Sequence, residues 1–272
     1  MSADPAPGAP TAAQRVWPDW PAPPRVRAFA TTRAGGVSTG PLASLNLGDR
    51  SGDAPERVAE NRRRFRALLP SEPGWLRQVH GARVVRREDI KVKPGVRVGA
   101  GSATGAARQA APEADGVWTA RPGLACTILA ADCLPVLFCD RGGTVVAAAH
   151  AGWRGLAGGV LEATVAALPV APEQLLAWIG PGIGVDAYEV GDDFRDEFRS
   201  RLPWLASGFE RRDGRVHADL AAIARAVLRR AGVGAVHGGG FCTYTDRARF
   251  FSHRRDPASG RQAAVIWFET EA

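Results

Sequence analysis

Methionine is nearly absent from this chain of 272 residues: Met1 is the only one. Histidine is scarce as well, limited to His80, His150, His217, His237 and His253, with no His-x-His pair among them. These shortages leave ligands for one transition-metal ion and exclude a site with the axial methionine of blue-copper centres. Lysine is limited to Lys91 and Lys93, so arginine carries nearly all of the 35 basic positions behind a net charge of +7. A basic balance raises nucleic acid as a partner. Here, however, the arginines are scattered and often sit beside acids, as in Arg195-Asp196-Glu197 and Arg211-Arg212-Asp213. Zinc-finger spacing, an RNP-like aromatic motif and a Walker loop are all missing. Gly180-Pro181-Gly182-Ile183-Gly184 has the wrong spacing for a dinucleotide fingerprint, and Pro181 intrudes. No specific nucleic-acid partner is expected.

Four cysteines, Cys126, Cys133, Cys139 and Cys242, are too few for a disulfide framework in a chain of this length. Reduced thiols in a soluble cytoplasmic protein are the expectation. No run approaches the roughly 18 apolar residues of a membrane span. Residues 1–24, rich in Pro and Ala, lack the basic start and apolar run of a secretory signal. They read as a flexible tail before a single catalytic domain over residues 25–272.

What the chain does have is a succession of short apolar runs. Residues 25–31 alternate like a strand, and residues 75–85 read as strand on both sides of Gly81. A helix is expected from Asp53 as cap and Pro55 near its start to about Leu69. The Gly- and Ala-rich stretch 94–114 reads as a surface loop. Residues 124–139 hold two strands broken between Asp132 and Pro135, and residues 144–150 read as a buried strand. A turn at residues 151–155 leads into a helix to about Ala167, and residues 177–180 form another short strand. Helices are expected over residues 192–201 and 219–231, with His217 opening the second and His237 at a turn. Residues 238–243 and 263–268 supply late strand or loop elements. Strands and helices mix without strict alternation, which favours an α+β fold with mixed, largely antiparallel sheets.

Three residues stand out chemically. His80 and His150 each end a strand-like run just before small residues, where a side chain can be both held and exposed. Cys133 sits at the break before Pro135, which interrupts backbone pairing and lets the thiol face a cleft. Cys126 and Cys139 lie inside apolar runs and read as core. Two imidazoles and a thiolate suit zinc, with a fourth position left open for chemistry. Their long-range spacing leaves the cluster open at this point. A cysteine hydrolase, with Cys133 as nucleophile and His80 or His150 as base, uses the same residues.

Several segments match a known family in order. They are Gln78-Val79-His80-Gly81, residues 131–136 (ADCLPV) and residues 149–155 (AHAGWRG). Residues 32–38 (TRAGGVS), 44–48 (SLNLG), 180–184 (GPGIG), Cys242-Thr243 and 250–256 (FFSHRRD) complete the set. Together these resemble the laccase-domain family, also called the multicopper polyphenol oxidase or purine nucleoside phosphorylase family, from about Arg25 to Phe268. The resemblance implies a layered α/β/β/α domain and zinc held by His80, Cys133 and His150. It also implies phosphorolysis of adenosine, inosine, guanosine and methylthioadenosine, with adenosine deamination alongside. Some bacterial members are instead linked to editing of a peptidoglycan precursor.

Copper can replace zinc on such ligands, so a polyphenol oxidase activity stays in view, although five histidines are too few for a multi-copper cluster. Phosphorolysis needs cations for phosphate, and Arg33, Arg154 and Arg254 are the candidates, the first two in Gly-containing loops. Ser44, Asn46 and Gln78 are candidates for hydrogen bonds to sugar or base, and Cys242 joins the substrate set through its matched motif. Deamination needs an acid for the leaving amine, and Asp132 is the candidate, with support of a ligand imidazole as its other role. The oligomeric state has no signal in the sequence.

Overall fold

The computed structural model describes residues 9–91, 111–205 and 207–270. The chain opens with β1 (Arg15–Val16), β2 (Val26–Thr31), α1 (Pro55–Arg66), β3 (Val84–Arg86), β4 (Gly116–Thr119), β5 (Cys126–Ala130), β6 (Leu134–Asp140) and β7 (Val146–Ala151). It continues through α2 (Trp153–Ala157), α3 (Val160–Ala167), β8 (Leu175–Ile179), β9 (Glu189–Val190), α4 (Asp192–Arg201), β10 (Phe209–Arg212) and β11 (Arg215–Ala218). The last elements are α5 (Leu220–Arg230), β12 (Ala235–Gly238) and β13 (Gln262–Phe268).

Alternation along the buried strands decides the layers, because successive side chains point to opposite faces. In β13, Ala264, Ile266 and Phe268 face a central core, while Ala263, Val265 and Trp267 face outward against Phe65 and Leu69 at the end of α1. In β6 and β8, Leu137, Cys139, Leu176 and Trp178 face the same central core. Val136, Phe138, Ala177 and Ile179 of those strands face α2, α3 and α5. The result is helix, four-stranded sheet, six-stranded sheet and helices, which is the expected α/β/β/α arrangement. The four-stranded sheet has the order β1-β2-β13-β5 and is antiparallel throughout. The six-stranded sheet has the order β12-β8-β6-β7-β4-β3, antiparallel in its middle and parallel at both ends. A small sheet, β10-β11-β9, completes the set.

Several local expectations change. Within the stretch expected as a tail, β1 pairs with β2 and Trp17 packs on Phe29, so order begins well before Arg25. Of the expected 94–114 loop, residues 94–110 lie outside the described residues. Residues 75–80 do not form a strand: Arg77 makes an isolated bridge to Glu113, and the Val79 and His80 amides donate to the Asp115 carboxylate. The helix after residue 152 divides at Gly158-Gly159, where Gly159 takes φ 85° and ends the helical path. Asp53 does not cap α1; its Oδ2 accepts from Ser38 and Asn46 instead. Asp219 does cap α5 by accepting from the Ala222 amide. Pro135 lies inside β6 near its start, opposite His150, where a missing amide is tolerated. His217 lies in β11 with Nδ1 on the Val185 carbonyl, and His237 lies in β12 opposite Trp178. No helix among the described residues is long and apolar enough to cross a membrane.

Candidate metal centre

The site is built around a carboxylate that the sequence did not single out. Asp115 precedes β4 and is fully buried. Its Oδ2 accepts from the Val79 amide (3.1 Å) and the Gly81 amide (2.8 Å), and its Oδ1 from the His80 amide (3.0 Å). These three donors satisfy the backbone that residues 79–81 would otherwise offer to a sheet, so the segment wraps around the carboxylate. The wrapping forces His80 to φ 60°, a left-handed conformation that costs a non-glycine residue energy and concentrates at functional sites.

The same carboxylate orients the second histidine. His150 lies near the end of β7, buried, with Nδ1 2.8 Å from Asp115 Oδ1. An ionised carboxylate only accepts, so Nδ1 carries a proton, and Nε2 is the nitrogen that a metal ion would take once its own proton is given up. A carboxylate behind an imidazole is the usual support of a metal-binding histidine.

Cys133 closes the cluster from the turn before β6. Its Sγ lies 3.7 Å from Nε2 of His80, and the two imidazole centroids are 4.8 Å apart. The preceding Asp132 takes φ 86°, so both His80 and the neighbour of Cys133 are held in left-handed backbone. Gly152 leaves the space that the Cys133 and His80 side chains occupy. A Cβ there would lie 2.8 Å from Cys133 Sγ and 2.9 Å from His80 Cδ2, closer than real contacts allow. Burial alone would raise the Cys133 thiol, but His150 and His80 outweigh it and bring it down to about 6. Burial alone would lower His150, but the Cys133 charge and Asp115 raise it to about 9.

The donor set fits one transition-metal ion. The three ligand atoms lie within 4.8 Å of one another, and no other group of His, Cys, Asp or Glu among the described residues does this. Sulfur and nitrogen ligands of one tetrahedral zinc sit about 3.5 Å apart, close to the Cys133–His80 separation. Cys126 and Cys139 are fully buried, as expected of core thiols.

The cluster lines a pocket of about 510 Å³. Gln78, Asp132, Arg154 and Arg254 line it as well. Gln78 exchanges two hydrogen bonds with the Leu129 backbone, which fixes its position in the wall. Arg154 is exposed and lies over the Trp153 ring, while Arg254 lies over Tyr188 and donates to the Glu189 carbonyl. Tyr188 holds its phenolic proton, since burial and then the Cys133 charge push it up to about 12.

Arg33, Ser44, Asn46 and Cys242 do not line the pocket. The Arg33 guanidinium is spent on the carbonyls of Ala43, Pro41 and Arg247. Ser44 Oγ donates to the Arg33 carbonyl. Asn46 is fully buried in a network with Gly48, Ser51, Asp53 and Arg261. Cys242 accepts from the Gly184 amide. Asp132 does not support a ligand imidazole; that role falls to Asp115. Both Asp132 oxygens accept, Oδ1 from the Thr243 hydroxyl and Oδ2 from the Arg254 amide, which ties three loops together. Tyr188, Trp153, Arg50, His253 and Arg261 line the pocket without having been expected there.

The chain is similar to known proteins along nearly its whole length. The family described as multi-copper polyphenol oxidoreductase laccase matches residues 27–269. A Pseudomonas aeruginosa protein named purine nucleoside phosphorylase is 51% identical over 254 residues, covering 93% of this chain and 97% of that protein. Purine nucleoside phosphorylase YfiH of Escherichia coli is 46% identical over 93% of this chain and 98% of its own length. The crystal structure of a Neisseria meningitidis protein superposes with a TM-score of 0.84 at 45% identity, covering 94% of this chain and all of that one. YlmD of Geobacillus stearothermophilus superposes with a TM-score of 0.83 at 32% identity, covering 96% of this chain and 98% of that one.

Proposed function

The chain belongs to the multi-copper polyphenol oxidoreductase laccase family, and from that premise and the one candidate metal-ligand set among the described residues we propose that it is a zinc-dependent purine nucleoside phosphorylase. Its substrates are adenosine, inosine, guanosine and methylthioadenosine, with adenosine deamination as a second activity. The observation that carries the reading is a one-ion set of His80, Cys133 and His150 in a pocket that also holds arginines and aromatic rings. Relatives at 51% and 46% identity carry the phosphorylase name. The oxidase reading has less support, because the described residues offer one such cluster and a multi-copper oxidase needs several metals.

In phosphorolysis, an oxygen of hydrogen phosphate bonds to the anomeric carbon as the glycosidic C–N bond breaks. The electron pair leaves with the purine, and the proton of hydrogen phosphate ends on it. When bound to His80, Cys133 and His150, zinc would supply Lewis acidity at an open coordination position. Trp153 and Tyr188 give the pocket aromatic surface for a purine, with the Arg154 and Arg254 guanidinium groups lying over their rings. The Tyr188 phenol and Gln78 amide offer hydrogen bonds, and Arg154 and Arg254 offer charge to phosphate. Asp115 keeps His150 in one tautomer and one orientation throughout.

The test incubates zinc-loaded protein with adenosine, with and without phosphate, and identifies the products by chromatography. The expected result is adenine and ribose 1-phosphate only when phosphate is present, and inosine without it. Failure to release base from any of the four nucleosides contradicts the reading. The lowered Cys133 thiol also suits a cysteine hydrolase. Metal-free protein whose Cys133 is consumed at once by an alkylating agent would favour that alternative, since a ligated thiolate is a poor nucleophile.

A further inference from the structure

We infer that Arg261, which neither the family motifs nor the loop pattern marks, is the residue that orients the attacking phosphate; the inference rests on the phosphorylase reading. Its guanidinium is the pocket group built most firmly to hold an anion. Nη1 donates to the carbonyls of Ser259 (2.8 Å) and Gly260 (3.0 Å). That anchors one corner of the planar fork and leaves the edge formed by Nε and Nη2. No described residue accepts from that edge, and neither atom is among the buried side-chain atoms lacking a partner. The edge is therefore open to the pocket that Arg261 lines with His80, Cys133 and His150. Two parallel N–H donors of this kind match two oxygens of a phosphate.

The backbone behind Arg261 is equally fixed. Its amide donates to Asn46 Oδ1, which also accepts from the Gly48 amide. Gly48 must be glycine for the arginine stem to pass, since a Cβ there would lie 2.8 Å from Arg261 Cγ. Asn46 and Gly48 thus act as positioning residues for a guanidinium. The other pocket arginines are less prepared. Arg77 is paired with Glu113, Arg254 is engaged with Glu189 and Tyr188, and Arg50 and Arg154 are exposed. No carboxylate forms an ion pair with Arg261 among the described residues, and burial disfavours its charge, with Cys133 and Asp132 the nearest compensation. An arriving phosphate supplies the missing counter-charge.

The test uses Arg261→Ala and Arg261→Lys beside Arg154→Ala. Two readouts are taken: steady-state phosphorolysis, and the rise in Tm of each zinc-loaded protein on adding inorganic phosphate alone. For Arg261→Ala the KM for phosphate rises about 10- to 100-fold, the size of a charged hydrogen bond lost, while the KM for nucleoside changes little. The phosphate-dependent Tm rise disappears. Arg261→Lys keeps charge without the fork and recovers only part of both effects, and it serves alone if the alanine variant does not fold. Arg154→Ala shows a smaller rise in the KM for phosphate. An unchanged phosphate KM and Tm response in folded Arg261 variants overturns the inference while leaving phosphorolysis intact. A wild-type protein that performs no phosphorolysis, yet shows an Arg261-dependent Tm response, removes the phosphorylase reading and keeps the anion site.

Discussion

Two buried polar knots shape this molecule, and they differ in one respect that separates chemistry from architecture. The first is Asp115, which gathers three amides and the His150 imidazole. The second is Asn61 on α1, also fully buried. Its Nδ2 donates to Ser38 Oγ and to the carbonyls of Ser44 and Asn46, and its Oδ1 accepts from the Val37 amide. Each knot pins a loop whose backbone has no sheet partner. Asn61 is neutral and meets only loop groups, so it fixes a path. Asp115 is charged and ends on an imidazole, so it fixes a path and a tautomer together. A buried carboxylate costs more to desolvate than an amide, and here that cost accompanies a functional ligand.

Breaking the neutral knot has the larger effect on stability. Asn61→Ala leaves the Val37 amide and the Asn46 carbonyl without the Asn61 partner, weakens the hold on Ser44, whose carbonyl keeps the Ser38 amide, and opens a void beside α1. Loss of about 3 kcal/mol in urea denaturation is expected, with unchanged zinc per folded chain. A variant that keeps its stability but loses zinc would erase the distinction between the knots.

Breaking the charged knot moves the metal. Asp115→Asn keeps the shape, but its amide NH2 now faces amide donors on one side. Zinc affinity in chelator competition falls about 10- to 100-fold, as expected when the support of a ligand histidine is removed. An unchanged affinity, with lowered stability alone, would reduce Asp115 to a loop tie.

Gly152→Ala sharpens the comparison from the ligand side, because it leaves both knots intact and crowds only Cys133 and His80. A measurable fall in zinc affinity with near-native Tm is expected, smaller than that of Asp115→Asn if the side chains yield by a few tenths of an ångström. Equal affinity for wild type and variant would show that the cluster does not need the gap.

The buried strands were legible in the sequence as short apolar runs, whereas their layering came through the family resemblance. Residues 134–140 and 262–268 alternate between two cores, and the amphipathic face of 220–230 covers one of them. His80, Cys133 and His150 were legible through ordered motifs and not through spacing. Asp115 was not, because it stands in an ordinary Glu-Ala-Asp-Gly run whose partners lie 34 to 36 residues away on either side. The same long-range claim on the amides of 79–81 turned an expected strand into a loop. Arg33 illustrates the converse ambiguity. A guanidinium in a Gly-containing loop reads the same whether it meets phosphate or carbonyls, and only the fold shows that three carbonyls take it. Arg261 lies in a plain turn, and its open edge exists only because Gly48 and Asn46 meet it from more than 200 residues away.

The most direct measurement of the account is the zinc content of wild type and Cys133→Ala, purified without chelator and followed by phosphorolysis assays on the same samples. One zinc per chain and activity are expected for wild type. For Cys133→Ala, a folded protein without bound zinc and without phosphorolysis is expected. A metal-free Cys133→Ala protein with full phosphorolysis would contradict the claim that His80, Cys133 and His150 form the working centre.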